Sequence, residues 1–357
     1  MTNIAQLERP RVTVGVDTHL DNHVISVIDS IGIHLDDRSI PTTPAGYQDA
    51  VSWVRSLGEI DCFGLEGTGA YGAGFARHLR AEGIQVIEIN RPDRSTRHQK
   101  GKSDPIDAQC AARAVLARTA TNAPKDADDT VEMIRVLRVA RCTAIKAKTQ
   151  AMNALRALLV TAPVELREQL RELSAIKLIA VVGAFRPGDI TSPMAANRAS
   201  MRVLGRRHAE LTTEIDGLDI EVDRLTAIAS PELRELTGVG PEVAAALLQA
   251  VGDNPDRVKS EASFAQLCGV APLPASSGKT TRHRLNRGGN RQANAALYRI
   301  VLVRLRWHQP TKDYMTKRLA ENKTKPEIIR CLKRYVAREV FAVLRASVDM
   351  KNLLQPA

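Results

Sequence analysis

Four acidic residues have the chemistry and the spacing of a site that holds divalent metal ions. Asp17 and Glu66 each end an apolar segment, within Gly-Val-Asp-Thr-His and Gly-Leu-Glu-Gly-Thr-Gly respectively. Asp104 and Asp107 stand three residues apart, a spacing that places both carboxylates on one face of a helix. Phosphodiester chemistry with two Mg²⁺ ions about 3.5–4 Å apart needs converging carboxylates, and Mg²⁺ prefers hard oxygen ligands. The four acids therefore predict a site for two Mg²⁺ ions.

Each acid also has a structural interpretation. Asp104 and Asp107 flank a proline in a good helix start, and Asp17 could begin the turn before the next strand. Glu66 is harder to explain in this way, because a glutamate between an apolar strand and Gly-Thr-Gly caps nothing. A structural role is the better explanation of any one acid taken alone. Four acids on the expected elements of one domain favour the metal site.

The alternation of apolar and polar residues predicts a compact α/β domain over residues 1–120. Three β-rich segments come first, and helical and β-rich segments then alternate up to a helix that begins near Asp104. The order β-β-β-α-β-α-β-α is that of the RNase H-like, or RuvC-like, fold, a mixed sheet with helices on its faces. In that topology the first and fourth strands are adjacent and parallel. Asp17 and Glu66 are therefore expected at the same edge of the sheet.

Residues 121–230 are helical in pattern and contain a regular heptad over 201–225. Leucine fills the d positions and β-branched residues fill two a positions, which favours a two-stranded coiled coil and so a dimer. The alternative is that this helix packs against an earlier helix of its own chain, roughly 128–160. The strict 3.5-residue period favours the intermolecular coiled coil.

Residues 231–357 are predicted to form a mainly α-helical domain. Gly-Val-Gly-Pro at 238–241 stands between two helical patterns and resembles a helix-hairpin-helix, in which backbone N–H groups meet a DNA phosphate. An ordinary turn between helices would also use glycine and proline. The high positive charge of the segment that follows it in the same chain favours the DNA-binding interpretation.

Positive charge is concentrated towards the C-terminus. Residues 276–357 hold 19 Lys and Arg against 5 Asp and Glu, although the net charge of the whole chain is only +11. Such one-sided charge favours a polyanion as partner, because each neutralised phosphate releases condensed counterions. Aromatic residues make up 3% of the chain, which favours phosphate contacts over a base-stacking platform. The candidate nucleic-acid-binding residues are Lys100, Lys102, Gly238, Gly240, Lys279, Arg282, Arg284, Arg287 and Arg291.

A pair of serines, Ser276 and Ser277, opens the basic stretch and is a candidate nucleophile. A hydroxyl nucleophile needs a base or a metal ion to activate it and cations to receive the phosphate. The arginines that follow supply those cations. A turn that uses serine for its own hydrogen bonds is the alternative, and the residues alone do not decide between the two.

Length and composition bound the remaining possibilities. A chain of 357 residues is long enough for two or three domains with a real core. Five scattered cysteines without zinc or disulfide spacing are expected to be reduced. There is no apolar run long enough for a membrane span and no apolar signal segment at the N-terminus, so a cytoplasmic protein is expected.

Seven motifs are spread over nearly the whole chain. They are Gly-Val-Asp-Thr-His at 15–19, Gly-x-Glu-x-Thr-Gly at 64–69, Lys-x-Asp-x-x-Asp at 102–107, Leu-Thr-Gly-Val-Gly-Pro at 236–241, Phe-Ala-x-x-Cys-Gly-Val-Ala-Pro at 264–272, Ser-Ser-Gly-Lys at 276–279 and Arg-Gly-Gly-Asn at 287–290. Together they resemble the DEDD transposases of bacterial insertion sequences, the insertion-sequence 110 family, which are RNA-guided recombinases.

The resemblance implies a function for most of the chain. A RuvC-like domain would hold its metal ions with the four acids, and a serine would become covalently joined to DNA. That serine is Ser277, because it directly precedes the glycine, with Ser276 as the reserve candidate. The family also implies donor and target DNA, a non-coding bridge RNA that pairs with both, and a tetramer built from two dimers in which one protomer's serine completes another's metal site. The expected location is the bacterial cytoplasm, in association with the nucleoid.

Three alternatives stay open at this point. A RuvC-type junction-resolving endonuclease would use water in place of a serine, but it needs little beyond the first domain. A site-specific DNA invertase would use the same chemistry, and the residues do not separate it from a transposase. A non-catalytic nucleic-acid-binding protein with a degenerate nuclease domain is disfavoured by the presence of all four acids.

Overall fold

The computed structural model describes residues 9–89, 103–276 and 283–354, with side chains as far as residue 346. The chain divides into two compact units, Met1–Ala127 and Asp128–Ala357. The first unit ends seven residues beyond the predicted boundary at residue 120. The second unit contains the predicted C-terminal region and all of the predicted middle region except residues 121–127, and the division between these regions at residue 230 stays a prediction.

The first unit is a five-stranded sheet with helices on both faces. Its elements are β1 Arg11–Thr18, β2 Asn22–Asp29, β3 His34–Pro41, α1 Pro44–Leu57, β4 Glu59–Glu66, α2 Ala73–Ala81, β5 Val86–Ile89 and α3 Asp104–Leu116. The strands lie in the order β3-β2-β1-β4-β5, with β1 antiparallel to β2 and parallel to β4. This mixed sheet confirms the predicted α/β domain and the predicted neighbours of the first strand.

The two faces of the sheet have different coverings. Val16 of β1 and Leu65 of β4 belong to the apolar core that α1 and α2 complete. Asp17 and Glu66 come one residue later in their strands, so their side chains start from the opposite face. Helix α3 packs on that opposite face, against β1, β2 and β4. The sheet therefore separates an apolar layer from the layer that contains the acids.

The second unit is almost entirely helical. Its elements are α4 Thr130–Thr161, α5 Val164–Leu170, α6 Ala175–Gly183, α7 Pro193–Ala229, α8 Pro231–Glu235, α9 Pro241–Val251, a 3₁₀ turn Pro255–Arg257, α10 Glu261–Leu267, β6 Leu273–Pro274, β7 His283–Arg284, α11 Arg291–Trp307, α12 Gln309–Ala320 and α13 Lys325–Leu354. Within the described residues, no helix combines the length and apolar character that a membrane span requires. Each of the five cysteines has a free thiol.

Helix α7 carries the predicted heptad and packs along α4 of the same chain. Arg141 of α4 forms an ion pair with Asp219 of α7, so polar contacts also join the two helices. Gly205 faces α6, where an added Cβ would lie 2.5 Å from Val182 Cγ2. The structure thus shows the packing within one chain that was the alternative to a coiled coil between chains. The intermolecular coiled coil stays a prediction.

The long helix pair connects two apolar cores. At one end, Ile134 of α4 and Val222 of α7 pack with α9, α11 and α13 in the largest core of the unit. At the other end, Leu155 and Met201 pack with α5 and α6 in a smaller core. The two helices are therefore antiparallel, and the larger core joins the predicted middle region to the C-terminal region.

Candidate active site

The strand ends that carry the first two acids lie side by side. Val16 pairs with Leu65 across the parallel strands, so Asp17 and Glu66 are the next residues on neighbouring strands. The hydroxyl of Thr18 donates a hydrogen bond to the Glu66 carbonyl oxygen at 3.2 Å. This bond fixes the two strand ends relative to each other, and the structure places both acids at one edge of the sheet.

Two glycines allow α3 to lie directly on these strands. A Cβ atom on Gly15 would overlap the carbonyl oxygen of Ala108, and a Cβ on Gly64 would lie 2.7 Å from Val115 Cγ2. Neither side chain could be accommodated without moving the helix. Each glycine stands two residues before an acid, on the same face of its strand. The close approach therefore brings α3 over the side of the sheet from which the acids project.

The first turn of α3 contributes the other two acids. Ser103 is the N-cap residue, and Asp104 and Asp107 both lie in the first helical turn. Asp107 is 2% exposed, whereas half of the Asp104 side chain is open to solvent. Carboxylates in this position also interact favourably with the positive end of the helix dipole. The helix start predicted from the sequence is thus present, whereas the metal-binding role of its two acids stays a prediction.

A histidine lies between two of the acids. Nε2 of His19 is 3.3 Å from Asp17 Oδ2 and 3.4 Å from Asp104 Oδ2. Single ligand atoms of these three residues all lie within 4.8 Å of one another. Half of the His19 side chain is exposed, and 13% of that of Asp17. The group is therefore accessible from solvent on one side and buried on the other.

The neighbouring side chains change the pKa of Asp17. Burial raises the pKa of this carboxyl above its ordinary value, and the nearby charges of Asp104 and Asp107 raise it further. His19 acts in the opposite direction and lowers it. Three carboxylates whose charges act on one another in a half-buried place are held together against their mutual repulsion.

Five of the predicted site residues lie outside the described residues, and the structure says nothing of their positions. They are Lys100, Lys102, Ser277, Lys279 and Arg282. Ser276 is described and is exposed, two residues beyond β6. Arg284 pairs with Leu273 in the short hairpin that β6 and β7 form. The serine segment is therefore the connection of a two-stranded hairpin.

The Arg-Gly-Gly-Asn motif at 287–290 has a clear structural role. A Cβ on Gly289 would overlap the backbone of Gly269, so the two segments are in direct contact. Asn290 caps α11, because its Oδ1 accepts the N–H groups of Gln292 and Ala293 at 2.9 and 3.0 Å. The predicted Arg287 and Arg291 flank this cap, are exposed and line a cavity.

The two predicted hairpin glycines, Gly238 and Gly240, lie between α8 and α9. Gly238 has φ +91°, and a Cβ there would lie 3.2 Å from the Ile300 carbonyl oxygen of α11. Gly240 is exposed and is the N-cap residue of α9. Helix α8 is only five residues long, so the helix-hairpin-helix and its phosphate contact stay predictions.

Two family models match this chain. The model of IS110-type DEDD proteins, described as "Transposase", matches residues 14–162. A second model, "Transposase IS116/IS110/IS902 family", matches residues 230–316.

The chain belongs to the IS110 family of DEDD transposases.

A curated relative is consistent with this family. The insertion element IS110 uncharacterized 43.6 kDa protein of Streptomyces coelicolor is 30% identical over 158 residues. The match spans 44% of this chain and 37% of the relative's length. The resemblance inferred from the motifs is thereby confirmed. The first matched segment of this IS110-family chain contains all four acids, and the second contains the hairpin with its serines.

His19 is the residue that sequence reasoning missed in this IS110-family site. It was part of the Gly-Val-Asp-Thr-His motif but received no role. The signal was its position two residues after Asp17 and one residue beyond the end of β1, because side chains two apart in an extended chain point to the same side. An imidazole is a good metal ligand, although it suits transition metals better than Mg²⁺.

The side chains of the site fit a divalent cation. Carboxylate oxygens are the hard ligands that Mg²⁺ and Mn²⁺ prefer. The described charges that act on Asp17 come from two other acids and one histidine, so negative charge is in excess at this edge. Asp17, His19 and Asp104 are placed to share one ion, with Glu66 on the adjacent strand and Asp107 one turn further. A divalent cation would balance that excess.

Proposed function

We propose that this protein is the recombinase that moves its own insertion sequence by cutting and rejoining DNA. The observation that carries the proposal is the meeting of acids from β1, β4 and α3 at one edge of the sheet, in a chain of the IS110 family. That arrangement converts four separate acids into one centre with excess negative charge. The basic C-terminal region supports donor and target DNA as the substrates.

In the proposed mechanism the four acids, Asp17, Glu66, Asp104 and Asp107, hold Mg²⁺. Ions bound there would supply positive charge to the phosphate that reacts. Two ions per site is the expected number. Arg284, Arg287 and Arg291 contact DNA phosphates.

The nucleophile in this proposal is Ser277, which is carried over from the family. Its Oγ forms a bond to phosphorus, the bond from phosphorus to a sugar oxygen breaks, and the proton of the serine passes to that leaving oxygen. A sugar hydroxyl of a second strand then reverses the step, so the strands are exchanged through a phosphoserine intermediate. The position of Ser276 on an exposed hairpin supports this role, because a nucleophile on such a connection is accessible to DNA.

The proposed assembly follows from the same family. A non-coding bridge RNA of the element pairs with donor and target DNA, and four protomers act together as two dimers. The concentration of cations towards the C-terminus supports binding of both nucleic acids.

The test is an SDS-quenched reaction of the full chain with Mg²⁺, donor and target DNA and the flanking RNA of the element. Wild type should give a covalent protein–DNA adduct, Ser277→Ala should give none, and Ser276→Ala should retain it. Glu66→Gln should abolish cleavage. The matched control is Asp21→Asn, an exposed acid just beyond β1, which should cleave normally. Cleavage by wild type without any adduct would replace the proposal by a junction-resolving endonuclease that uses water.

A further inference from the structure

A basic cavity opens beside the serine hairpin in the second unit. Its volume is about 690 Å³, and it lies between the hairpin strand β7 and helix α13. The cations that line it are Arg284, Arg318, Lys323, Arg330, Lys333 and Arg334. Glu327, its acidic lining residue, accepts hydrogen bonds from the Thr324 backbone N–H and hydroxyl at the start of α13. The cavity is therefore strongly positive.

Only some of these cations are engaged elsewhere. Arg334 forms an ion pair with Glu261, and Arg318 forms one with Glu321. Arg284, Lys323 and Arg330 make no ion pair with any residue that the structure describes. Lys323 and Arg330 act electrostatically on the carboxylate of Glu327, but the six lining cations outnumber this one acid, and the excess positive charge favours an anion between them.

Lys333 is the central cation. Its Nζ donates a hydrogen bond to Asn294 Oδ1 at 2.9 Å, while the amide of Asn294 donates to the carbonyl oxygens of Cys268 and Gly269. The lysine is therefore held in one place by the loop that supports the hairpin. Burial lowers its pKa from the ordinary value, and the adjacent charge of Arg330 lowers it further. The negative charge of a phosphate at this position would favour the charged form of the lysine and so oppose both effects.

A second cavity, of about 550 Å³, continues on the other side of Lys333. It is lined by Arg287 and Arg291 and shares Lys333, Asn286 and Gly269 with the first cavity. The two cavities therefore form one track past the lysine, with cations along its length. Such a track follows a chain of phosphates better than it surrounds a single one.

Each cavity also has an exposed tyrosine. Tyr335 of α13 is 48% exposed in the first, and Tyr298 of α11 is 41% exposed in the second. The ring of Tyr335 packs edge-on against Tyr314, with ring centroids 5.5 Å apart, so its orientation is fixed. An exposed, oriented aromatic face beside cations is the combination on which bases of single strands stack. A base within a duplex has no free face to offer.

We propose that this track binds a single-stranded segment of nucleic acid, with a phosphate at Lys333 and bases stacked on Tyr335 and Tyr298. The size agrees, because a cavity of a few hundred cubic ångström accommodates a few nucleotides of one strand and not a duplex. The inference rests on the proposed function, since the track ends at the hairpin that carries the serine. One side of the track is formed by α13, a helix that lies beyond both segments that the family models match.

The test measures binding of the full chain to fluorescent single-stranded and duplex oligonucleotides of equal length, in EDTA and at several salt concentrations. Tyr335→Leu should weaken single-strand binding roughly tenfold and leave duplex binding and the salt dependence unchanged. Lys333→Gln should reduce the slope of log K against log salt for single strands by about 0.7, the value for one phosphate contact. The same titrations with thymidylate and uridylate homopolymers identify whether the bound strand is DNA or RNA. Tighter binding of either polymer supports the proposal that the track binds a single strand.

Two controls make the test specific. Tyr335→Phe retains the ring and should bind like wild type, and Lys259→Gln removes an exposed charge that lines neither cavity and should leave the slope unchanged. Equal loss of single-strand and duplex binding in Tyr335→Leu, or no loss in either, overturns the proposal. Because the assay contains no metal ion and measures no cleavage, its result is independent of whether the protein recombines DNA.

Discussion

The contact between Gly15 and α3 provides the sharpest test of the proposed metal site. In Gly15→Ala the new Cβ would overlap the carbonyl oxygen of Ala108 and the amide nitrogen of Ala112, and would lie 3.0 Å from the Ala108 carbonyl carbon. Real Cβ atoms essentially never approach another heavy atom more closely than 3.0 Å, and the obstructing atoms are backbone, so the helix itself must retreat by about 1 Å merely to reach that limit. Such overpacking costs about 1–3 kcal/mol of the free energy of unfolding. Because α3 carries Asp104 and Asp107, the same movement separates them from Asp17 and Glu66.

Two measurements follow from this movement. Urea unfolding should show the loss of stability, and electron paramagnetic resonance titration with Mn²⁺ should show weaker binding in the variant. A displacement of about 1 Å at a reacting centre lowers a rate by roughly 100-fold, so DNA cleavage should fall by that order. The matched control is Gly69→Ala, in the loop after β4, where no heavy atom of the described residues lies within 4 Å of the added Cβ. If Gly15→Ala unfolds, binds Mn²⁺ and cleaves like the control, α3 does not rest on β1 as described.

Three further outcomes are expected. His19→Ala should weaken Mn²⁺ binding more than Mg²⁺ binding in competition titrations, because imidazole favours transition metals; an equal loss for both ions excludes the histidine as a ligand. Burial lowers the pKa of His23 below its ordinary 6.5, so the unfolded chain binds more protons and the folded protein loses stability as the pH falls below 6.5. His23→Phe should remove that part of the pH dependence, and identical urea unfolding profiles of variant and wild type at pH 7 and pH 5 contradict this. A chain of residues 1–127 should unfold cooperatively, whereas residues 1–230 should bind a hydrophobic dye, because Ile134 and Val222 lose the helices that cover them; a dye-silent 1–230 chain would show that the larger core does not need its C-terminal half.

The sequence was sufficient to predict the first unit because its signals are local. Apolar and polar residues alternate with a period of two along the strands. Gly15 and Gly64 each stand two residues before an acid, Asp17 and Glu66 respectively. The position of each strand in the sheet could be predicted, because the succession β-β-β-α-β-α-β-α permits only a few topologies. The convergence of the acids could therefore be expected before the structure was known, and the role of the glycines could not, because it depends on where α3 lies.

The second unit was harder to predict because its arrangement depends on contacts between distant segments. A heptad specifies an apolar seam but not the helix that covers it, and Gly205 shows that α6 approaches α7 closely. The basic track likewise joins Arg284 in the hairpin to Lys333 in α13, about fifty residues further along the chain. Net charge identified the region, but only the fold shows which cations line one cavity.

The antiparallel pair of α4 and α7 places a constraint on insertions and deletions. Twenty-one residues separate Ile134 from Leu155 in one helix, and the same number separates Met201 from Val222 in the other. At 1.5 Å per residue, the two cores that these residues join stand about 32 Å apart on both helices. A change of length in one helix alone would break the match at one core, whereas equal changes in both would shorten or lengthen the pair as a whole. The two segments must therefore change length together. In a related chain whose α4 is one turn longer or shorter, we expect a matching insertion or deletion in α7.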